Sequence, residues 1–368
     1  MTLPTIDGSL LPLLLRTIRD PESAKSFSKA QWSLLVREAR SRNVLGRVLL
    51  EIAEKVAPEY WPLRVRQIFQ GEANLASHRR LSLKWEVEGL VSLLSQIKVA
   101  PVFLKGAAYA IQDFPFAAYR NFGDIDLMIP RERLADAERI LTAGGWLPTN
   151  TNPYDQYYYR TWMHELPPLK HMHRGTILDL HHAILPLTAR YSPSPSRLFD
   201  KAHEIKQVPG ARVLAPVDMF LHAATHLFCE GEKENSLRNL CDVHDLFCGL
   251  RSDAKYSDEA LAQRATELDL IPVLALASRY LHRVLQTPGA ASLYALLHEN
   301  SMSAQLRISF QDWIFDTAFK GRSGGGESGG LAAWVRYMRG HYLRMPIGLL
   351  MRHLSRKAWR EVMHEKTH

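Results

Sequence analysis

The stretch that most constrains this chain is Gly123-Asp124-Ile125-Asp126-Leu127-Met128-Ile129, an alternation of acid and aliphatic residues closed by Pro130. Side chains two apart on a β-strand face the same side. The pattern therefore predicts one strand that turns Asp124 and Asp126 one way and sends Ile125, Leu127 and Ile129 into a core. Aspartate is a poor strand residue, and two like charges side by side repel. Two settings tolerate such a pair. One is a solvent-facing edge strand; the other is a bound divalent cation, since a hard ion such as Mg²⁺ prefers carboxylate oxygens.

The surroundings organise around that strand. Residues 8–98 read as helical, with apolar residues at helical spacing from Gln31 to Lys55 and again from Trp85 to Ile97. Val99 to Leu104 is a short β-type run leading into Lys105-Gly106. A helical turn over Ala107 to Gln112 follows, and Asp113-Phe114-Pro115 breaks it. Arg131 to Ala143 is an amphipathic helix stopped by Gly144-Gly145. Strands are expected around Leu169 to His173 and Thr176 to His182, with Arg174-Gly175 as a tight hairpin. Pro186 to Pro195 reads as a loop. Helices are expected over Pro216 to Phe228, Leu237 to Leu250 and Ser257 to His298. Gly321 to Gly330 reads as a Gly/Ser-rich linker. Strands in the middle with helices on both sides indicate an α+β fold. The expected divisions are a helical region over 1–98, a sheet-bearing core over 99–215, a second helical region over 216–320, and a linker with a basic helical tail over 321–368.

Two neighbours bear on the acidic strand. At Lys105-Gly106, glycine lets backbone N–H groups approach an anion, the following helix adds its dipole, and Lys105 can neutralise phosphate charge. In Ile177-Leu178-Asp179-Leu180-His181, the alternation puts Asp179 and His181 on one face. Asp179 is then a candidate third carboxylate, and His181 is either a core histidine or a direct participant.

This combination resembles the poorly characterised bacterial nucleotidyltransferase family of the DNA polymerase beta-like superfamily. The superfamily pattern is a glycine at a strand–helix turn, a strand bearing two aspartates one residue apart, and a later strand with one more acid. Gly106, Asp124 with Asp126, and Asp179 match it in turn. Marks of the family itself are the Lys105-Gly106 turn, Arg120 just before the acidic strand, and Asp179-Leu180-His181. A later helical stretch carries His222, His226, Arg238 and Asp242. The resemblance covers roughly residues 85–250, and the basic end, with Pro346 and Arg352 to Lys357, is also similar. It implies a small mixed nucleotidyltransferase sheet flanked by helical regions. Asp124, Asp126 and Asp179 would bind Mg²⁺ or Mn²⁺ and act in catalysis, Asp179 helping to deprotonate the attacking hydroxyl. Lys105, Gly106 and Arg120 would contact ATP or another nucleoside triphosphate. His181, Arg238 and Asp242 are secondary candidates, and Arg160 is a further candidate for phosphate contact. Ala107 departs from the superfamily, which usually places serine or glycine after the turn glycine.

Composition narrows the class. The net charge is +8, but from Leu331 onward eight Lys and Arg residues face only Glu361 and Glu365, so the excess belongs to the tail. The rest of the chain is nearly balanced, which argues against a nucleic-acid-coating surface. The tail is apolar enough to dock on the main body; anionic membrane contact and RNA binding are the other readings. No apolar run is long enough to span a membrane. Three cysteines without a CxxC pair read as reduced thiols of a cytoplasmic protein. Sixteen histidines raise a zinc hypothesis at His222 with His226, or at His164, His171 and His173, but no HExxH motif supports it. The aromatic run Tyr154, Tyr157, Tyr158, Tyr159 and Trp162 suits either base stacking or packing. The leading expectation is an enzyme that transfers a nucleoside monophosphate to a small molecule, peptide or protein. The alternatives are a non-catalytic binding protein that keeps the fold, favoured by Ala107, and a toxin–antitoxin component acting on tRNA or a partner protein.

Overall fold

A computed structural model describes residues 12–230, 235–298, 301–320, 330–346 and 348. The N-terminal region is helical, in several pieces: α1 (Leu13–Arg19), α2 (Lys29–Ser41), α3 (Leu45–Lys55) and the long α4 (Leu63–Ser95). The periodic stretch from Gln31 to Lys55 is thus two helices rather than one. The chain breaks between them where Asn43 takes a left-handed backbone, φ 56°. Ser28 opens α2 with a capping box, its hydroxyl accepting from Gln31 N while the Gln31 side chain accepts from Ser28 N.

The sheet follows. Its strands are β1 (Val102–Phe103), β2 (Ile125–Met128), β3 (Trp146–Pro148), β4 (Leu169–His171), β5 (Ile177–His181), β6 (His203–Glu204) and β7 (Arg212–Val213), in the order β3-β4-β5-β2-β1-β7-β6. Pairing is mixed: β2 runs parallel to β5 and antiparallel to β1, and β1 runs parallel to β7. Strands β3, β6 and β7 were not foreseen, because two or three residues carry too little alternation to read. Helix α5 (Lys105–Ile111) leaves β1, and α6 (Leu134–Ala143) connects β2 to β3. The β4–β5 hairpin turns at Gly175, φ 73°, as its Arg-Gly pair predicts.

Strand β2 begins at Ile125, one residue after Asp124, so the two aspartates do not share a strand from end to end. The cause is local. Strand β1 ends at Phe103; Leu104 N–H still bonds to the Asp126 carbonyl at 3.0 Å, and the chain then turns into α5, so β1 does not run on beside Asp124. All four residues of β2 are buried, so the face that carries Asp126 is covered and not solvated.

The aromatic run from Tyr154 to Trp162 forms a helix, α7 (Pro153–Trp162), capped by Asn152, whose side chain accepts from Tyr154 N and Asp155 N. Helices α8 (Pro195–Lys201), α9 (Pro216–Cys229), α10 (Ser236–Arg251), α11 (Asp258–Glu267), α12 (Ile271–Leu285), α13 (Ala290–Leu297) and α14 (Met302–Lys320) complete the main body. The apolar core runs continuously from α1 through the sheet to α14. The last described helix, α15 (Leu331–Arg344), packs on α9 and α14 and is tied down by Arg339 donating to Phe228 O at 2.6 Å and Arg190 N–H donating to Leu343 O at 2.8 Å. The Gly/Ser-rich stretch over 321–329 and the basic end beyond 348 lie outside the described residues. No helix among the described residues is long and apolar enough to cross a membrane, and Cys229, Cys241 and Cys248 are free thiols.

Candidate active site

Parallel pairing of β2 and β5 sets Asp126 directly across from Asp179 and Met128 across from His181. Cross-strand partners project to the same side, so the two carboxylates stand together, with His181 one step along the same face. Asp124 enters from the segment before β2 and is exposed. Helix α5 opens on Lys105, which holds φ at 44°, a conformation uncommon for a residue with a side chain. From there its ammonium donates to Asp126 Oδ1 at 2.9 Å, and His181 Nε2 lies 3.0 Å from the same oxygen. Asp126 is only 3% exposed.

These groups line a polar cavity of about 320 Å³ walled by β2, β5, the start of α5, the 120–124 segment, the facing ends of α9 and α10, and α15. It brings together Asp124, Asp126, Asp179, Lys105, Gly106, Arg120 and Arg238. A larger hollow of about 680 Å³ between α2 and the start of α4 is mainly apolar, and its lining holds no acid or histidine.

Charge in the cavity is unevenly resolved. Burial by itself would raise the Asp126 pKa, but Lys105 and His181 hold it well below the usual carboxylate range. Burial likewise acts against the Lys105 ammonium, and the adjacent Asp126 and Glu230 raise its pKa above normal all the same. His181 follows the same logic: burial lowers it, and Asp126 with Glu165 raises it further. Asp179 is the opposite case. Burial, then the negative charges of Asp126 and Glu165, push its carboxyl up to about 7. Asp124, though exposed as a residue, is also raised, by desolvation where its carboxyl faces the cavity and then by Asp126.

Other expected residues fall as follows. A Cβ at Gly106 would stand 2.7 Å from the Phe122 ring and run into the Arg120 guanidinium, so what the missing side chain admits here is Phe122 and Arg120. Arg120 Nε donates to Asp242 Oδ2 at 2.9 Å, which removes Asp242 from the simple i,i+4 pair with Arg238 that the helix spacing suggests. Arg238 instead reaches Asn239 Oδ1 at 3.2 Å. His181 and Asp242 thus stand behind the cavity wall and orient Asp126 and Arg120. Arg160 lies elsewhere, paired on the surface with Glu138 through two donors at 2.6 and 2.9 Å. His171 and His173 sit on the β4–β5 hairpin, His171 edge-on to Trp146, away from His164. Tyr158 packs with Met163 and Met345, giving the aromatic run a packing partner in the C-terminal segment. Ala107 is 1% exposed within the apolar core and does not line the cavity.

Sequence reasoning missed Glu165, Glu230 and Arg344 in the cavity, and named His164 only as a zinc candidate beside His171 and His173, from which the structure separates it. Glu165 reaches the site through an isolated bridge to His181, a non-local pairing without local trace. Glu230 did leave a signal, since it stands four residues after His226 on one helix face, and His226 Nδ1 lies 2.5 Å from Glu230 Oε2. Arg344 arrives from α15, and nothing near it in sequence marks it.

Asp179 decides whether the three aspartates suit a divalent cation. Its Oδ1 is buried and makes no hydrogen bond among the described residues. Buried polar atoms are rarely left so. A hard cation would satisfy that oxygen and offset the burial, and after it the like charge, that raises Asp124 and Asp179, so the donor set fits Mg²⁺ or Mn²⁺.

A family model described as an uncharacterised nucleotidyltransferase matches residues 28–286. The matched span includes every cavity residue named here except Arg344. No curated protein and no solved structure matches the chain.

Proposed function

The chain belongs to the uncharacterised nucleotidyltransferase family, and on that premise we propose that it moves a nucleoside monophosphate from a nucleoside triphosphate to a hydroxyl of a small molecule, peptide or protein. The observation that carries this reading is the convergence of Asp124, Asp126 and Asp179 on one polar cavity, with the Asp179 Oδ1 making no hydrogen bond among the described residues. In that reading the three carboxylates hold Mg²⁺ or Mn²⁺, which supplies neutralisation of triphosphate charge. Everything else falls to the chain's own groups. Arg238 and Arg344 present positive charge to the phosphates from opposite elements, α10 and α15. Lys105 and His181 pin Asp126 in its ionised form, so its position does not drift with bound substrate. Arg120, braced by Asp242 and seated over Gly106, shapes the cavity edge. The acceptor hydroxyl oxygen attacks the α-phosphorus, the bond from that phosphorus to the bridging oxygen breaks, and pyrophosphate leaves. Asp179 takes the hydroxyl proton. Positioning and charge neutralisation supply the catalysis, as in phosphoryl transfers generally.

Ala107 does not favour the non-catalytic alternative, because its side chain points into the core, where a hydroxyl would face no phosphate. The test is incubation of the full chain with an α-labelled triphosphate, Mg²⁺ and a cell-extract pool of acceptors, with Asp124→Ala as control. Label transfer or self-labelling by the parent chain that the variant loses is the expected result. Absence of both with every divalent metal and every nucleotide would refute the reading.

A further inference from the structure

We propose that His164, Glu165 and His181 form a second metal site, separate from the three-aspartate set, that takes a transition-metal ion of the Zn²⁺ class. Backbone pairing assembles it. Glu165 bridges to His181, Leu166 N–H donates to Leu180 O at 2.9 Å, and His182 N–H donates to His164 O at 2.8 Å. The segment before β4 is thereby locked along the end of β5, and one ligand atom from each of the three residues lies within 4.8 Å of the others. Glu165 Oε2 stands 3.5 Å from His181 Nδ1 and 4.0 Å from His164 Nε2. Nitrogen and oxygen ligands at about 2.0–2.2 Å from tetrahedral zinc lie roughly 3.3 Å from one another. The two Glu165 spacings exceed this by less than about 1 Å and the histidine pair, within 4.8 Å, by at most about 1.5 Å, so side-chain adjustments of that size would enclose such an ion.

The independent pointer is the His181 ring. It is 2% exposed, and its Nδ1 faces Glu165 without making a hydrogen bond among the described residues. Its other nitrogen, Nε2, lies 3.0 Å from Asp126 Oδ1. A histidine that offers one nitrogen to an ion while a carboxylate holds the other is the usual arrangement around a metal, because that bond fixes the tautomer and the ring plane. Two imidazoles and one carboxylate suit Zn²⁺ and its neighbours, whereas Mg²⁺ prefers oxygen ligands alone. His164 and Glu165 both line the cavity, so the ion's remaining position opens toward it. An ion here fixes His181 and, through it, the Asp126 carboxylate. The site is a positioning site, and it stands whether or not the nucleotidyl-transfer reading does.

The competing account is a proton between His181 and Glu165 in place of the ion. To separate them, the full chain is stripped with a chelator, equilibrated with one equivalent of ZnCl₂ in excess Mg²⁺, desalted, and assayed for zinc by mass spectrometry. The expected result is one retained zinc per chain, with an absorption edge showing two imidazole ligands. His164→Gln and Glu165→Gln, checked for fold by circular dichroism, lose zinc affinity at least tenfold, while Asp179→Asn keeps it. If the variants do not fold, a zinc-edge anomalous map of the parent crystal decides the matter. A peak bounded by His164, Glu165 and His181 supports the site; no peak, or one among the aspartates, overturns it. Zinc passing straight through the parent chain, or held equally by both ligand variants, also overturns it.

Discussion

The helical layer and the cavity treat buried charge in opposite ways. Between α9 and α11, Arg264 grips Asp218 with donors at 2.6 and 2.8 Å, both side chains nearly inaccessible. Between α12 and α14, Arg279 grips Asp312 and Arg283 grips Asp316 in the same two-pronged manner. Each acid there has its guanidinium, and the charges close on themselves. In the cavity, Asp124, Asp126, Asp179, Glu165 and Glu230 crowd together; Lys105 answers Asp126 and His226 answers Glu230, but Asp179 keeps a buried oxygen without a hydrogen bond among the described residues. Closed pairs hold a fold together, whereas an acid cluster left short of positive charge suits the cation that the proposed function places there.

The sharpest way to break this contrast is to exchange the outcomes of two substitutions. Asp179→Asn should lower nucleotidyl transfer by about 10²–10³-fold, the usual scale for removing one group that stabilises transferring charge. Its melting temperature should hold or rise, since repulsion is relieved. Arg264→Ala should do the reverse. Leaving Asp218 buried and unpaired should destabilise by about 3–5 kcal/mol, with turnover per folded molecule unchanged. Denaturant melts and steady-state transfer rates on both variants check this, and a stability loss at Asp179 without loss of rate would erase the distinction.

A second effect is the pH dependence of the metal-free protein. Asp179 has its folded pKa raised to about 7, so the folded state holds a proton that the unfolded chain has released. Stability from this group is therefore lowest above about pH 7 and recovers as pH falls toward the ordinary aspartate value near 4, by at most about 1.4 kcal/mol per unit. Asp126 has the opposite sign, its folded pKa being depressed, and its contribution is lost only as pH falls below that same ordinary value. Melting curves from pH 8 to pH 5 should rise for the parent chain and flatten for Asp179→Asn. Added Mg²⁺ should stabilise more at pH 8 than at pH 5.

Gly106→Ala should follow in size. The new methyl meets Phe122 and Arg120 and forces Arg120 off Asp242, a packing strain of about 1–3 kcal/mol with reduced affinity for nucleotide. The smallest effect belongs to Arg160→Ala. An exposed pair with Glu138 is worth less than about 1 kcal/mol, and transfer should be unaffected. A strong rate loss there would place part of the substrate outside the cavity.

The elements that could be read from sequence were those with a long local signature. The alternation of β2, the Arg174-Gly175 hairpin and the helical periods of α6, α9 and α10 each repeat a pattern over several residues, and each appears where expected. Strands β3, β6 and β7 are too short to repeat anything, and the tyrosines of α7 hid a helix because aromatic residues suit strands as well. The same rule divides the site. Asp124, Asp126, Asp179, Lys105 and Arg120 sit within or beside patterned elements. Glu165 depends on a single non-local bridge, and Arg344 on how α15 docks, which no local spacing encodes.

In the proposed function the three aspartates and the cavity cations form one nucleotide site. Its most direct test is a crystal of the full chain soaked with Mn²⁺ and a triphosphate that cannot release pyrophosphate, with manganese located by anomalous scattering. Manganese bounded by Asp124, Asp126 and Asp179 is expected, with the phosphates running toward Arg238 and Arg344. Nucleotide bound elsewhere, or bound in the cavity with no manganese among those three carboxylates, would contradict it.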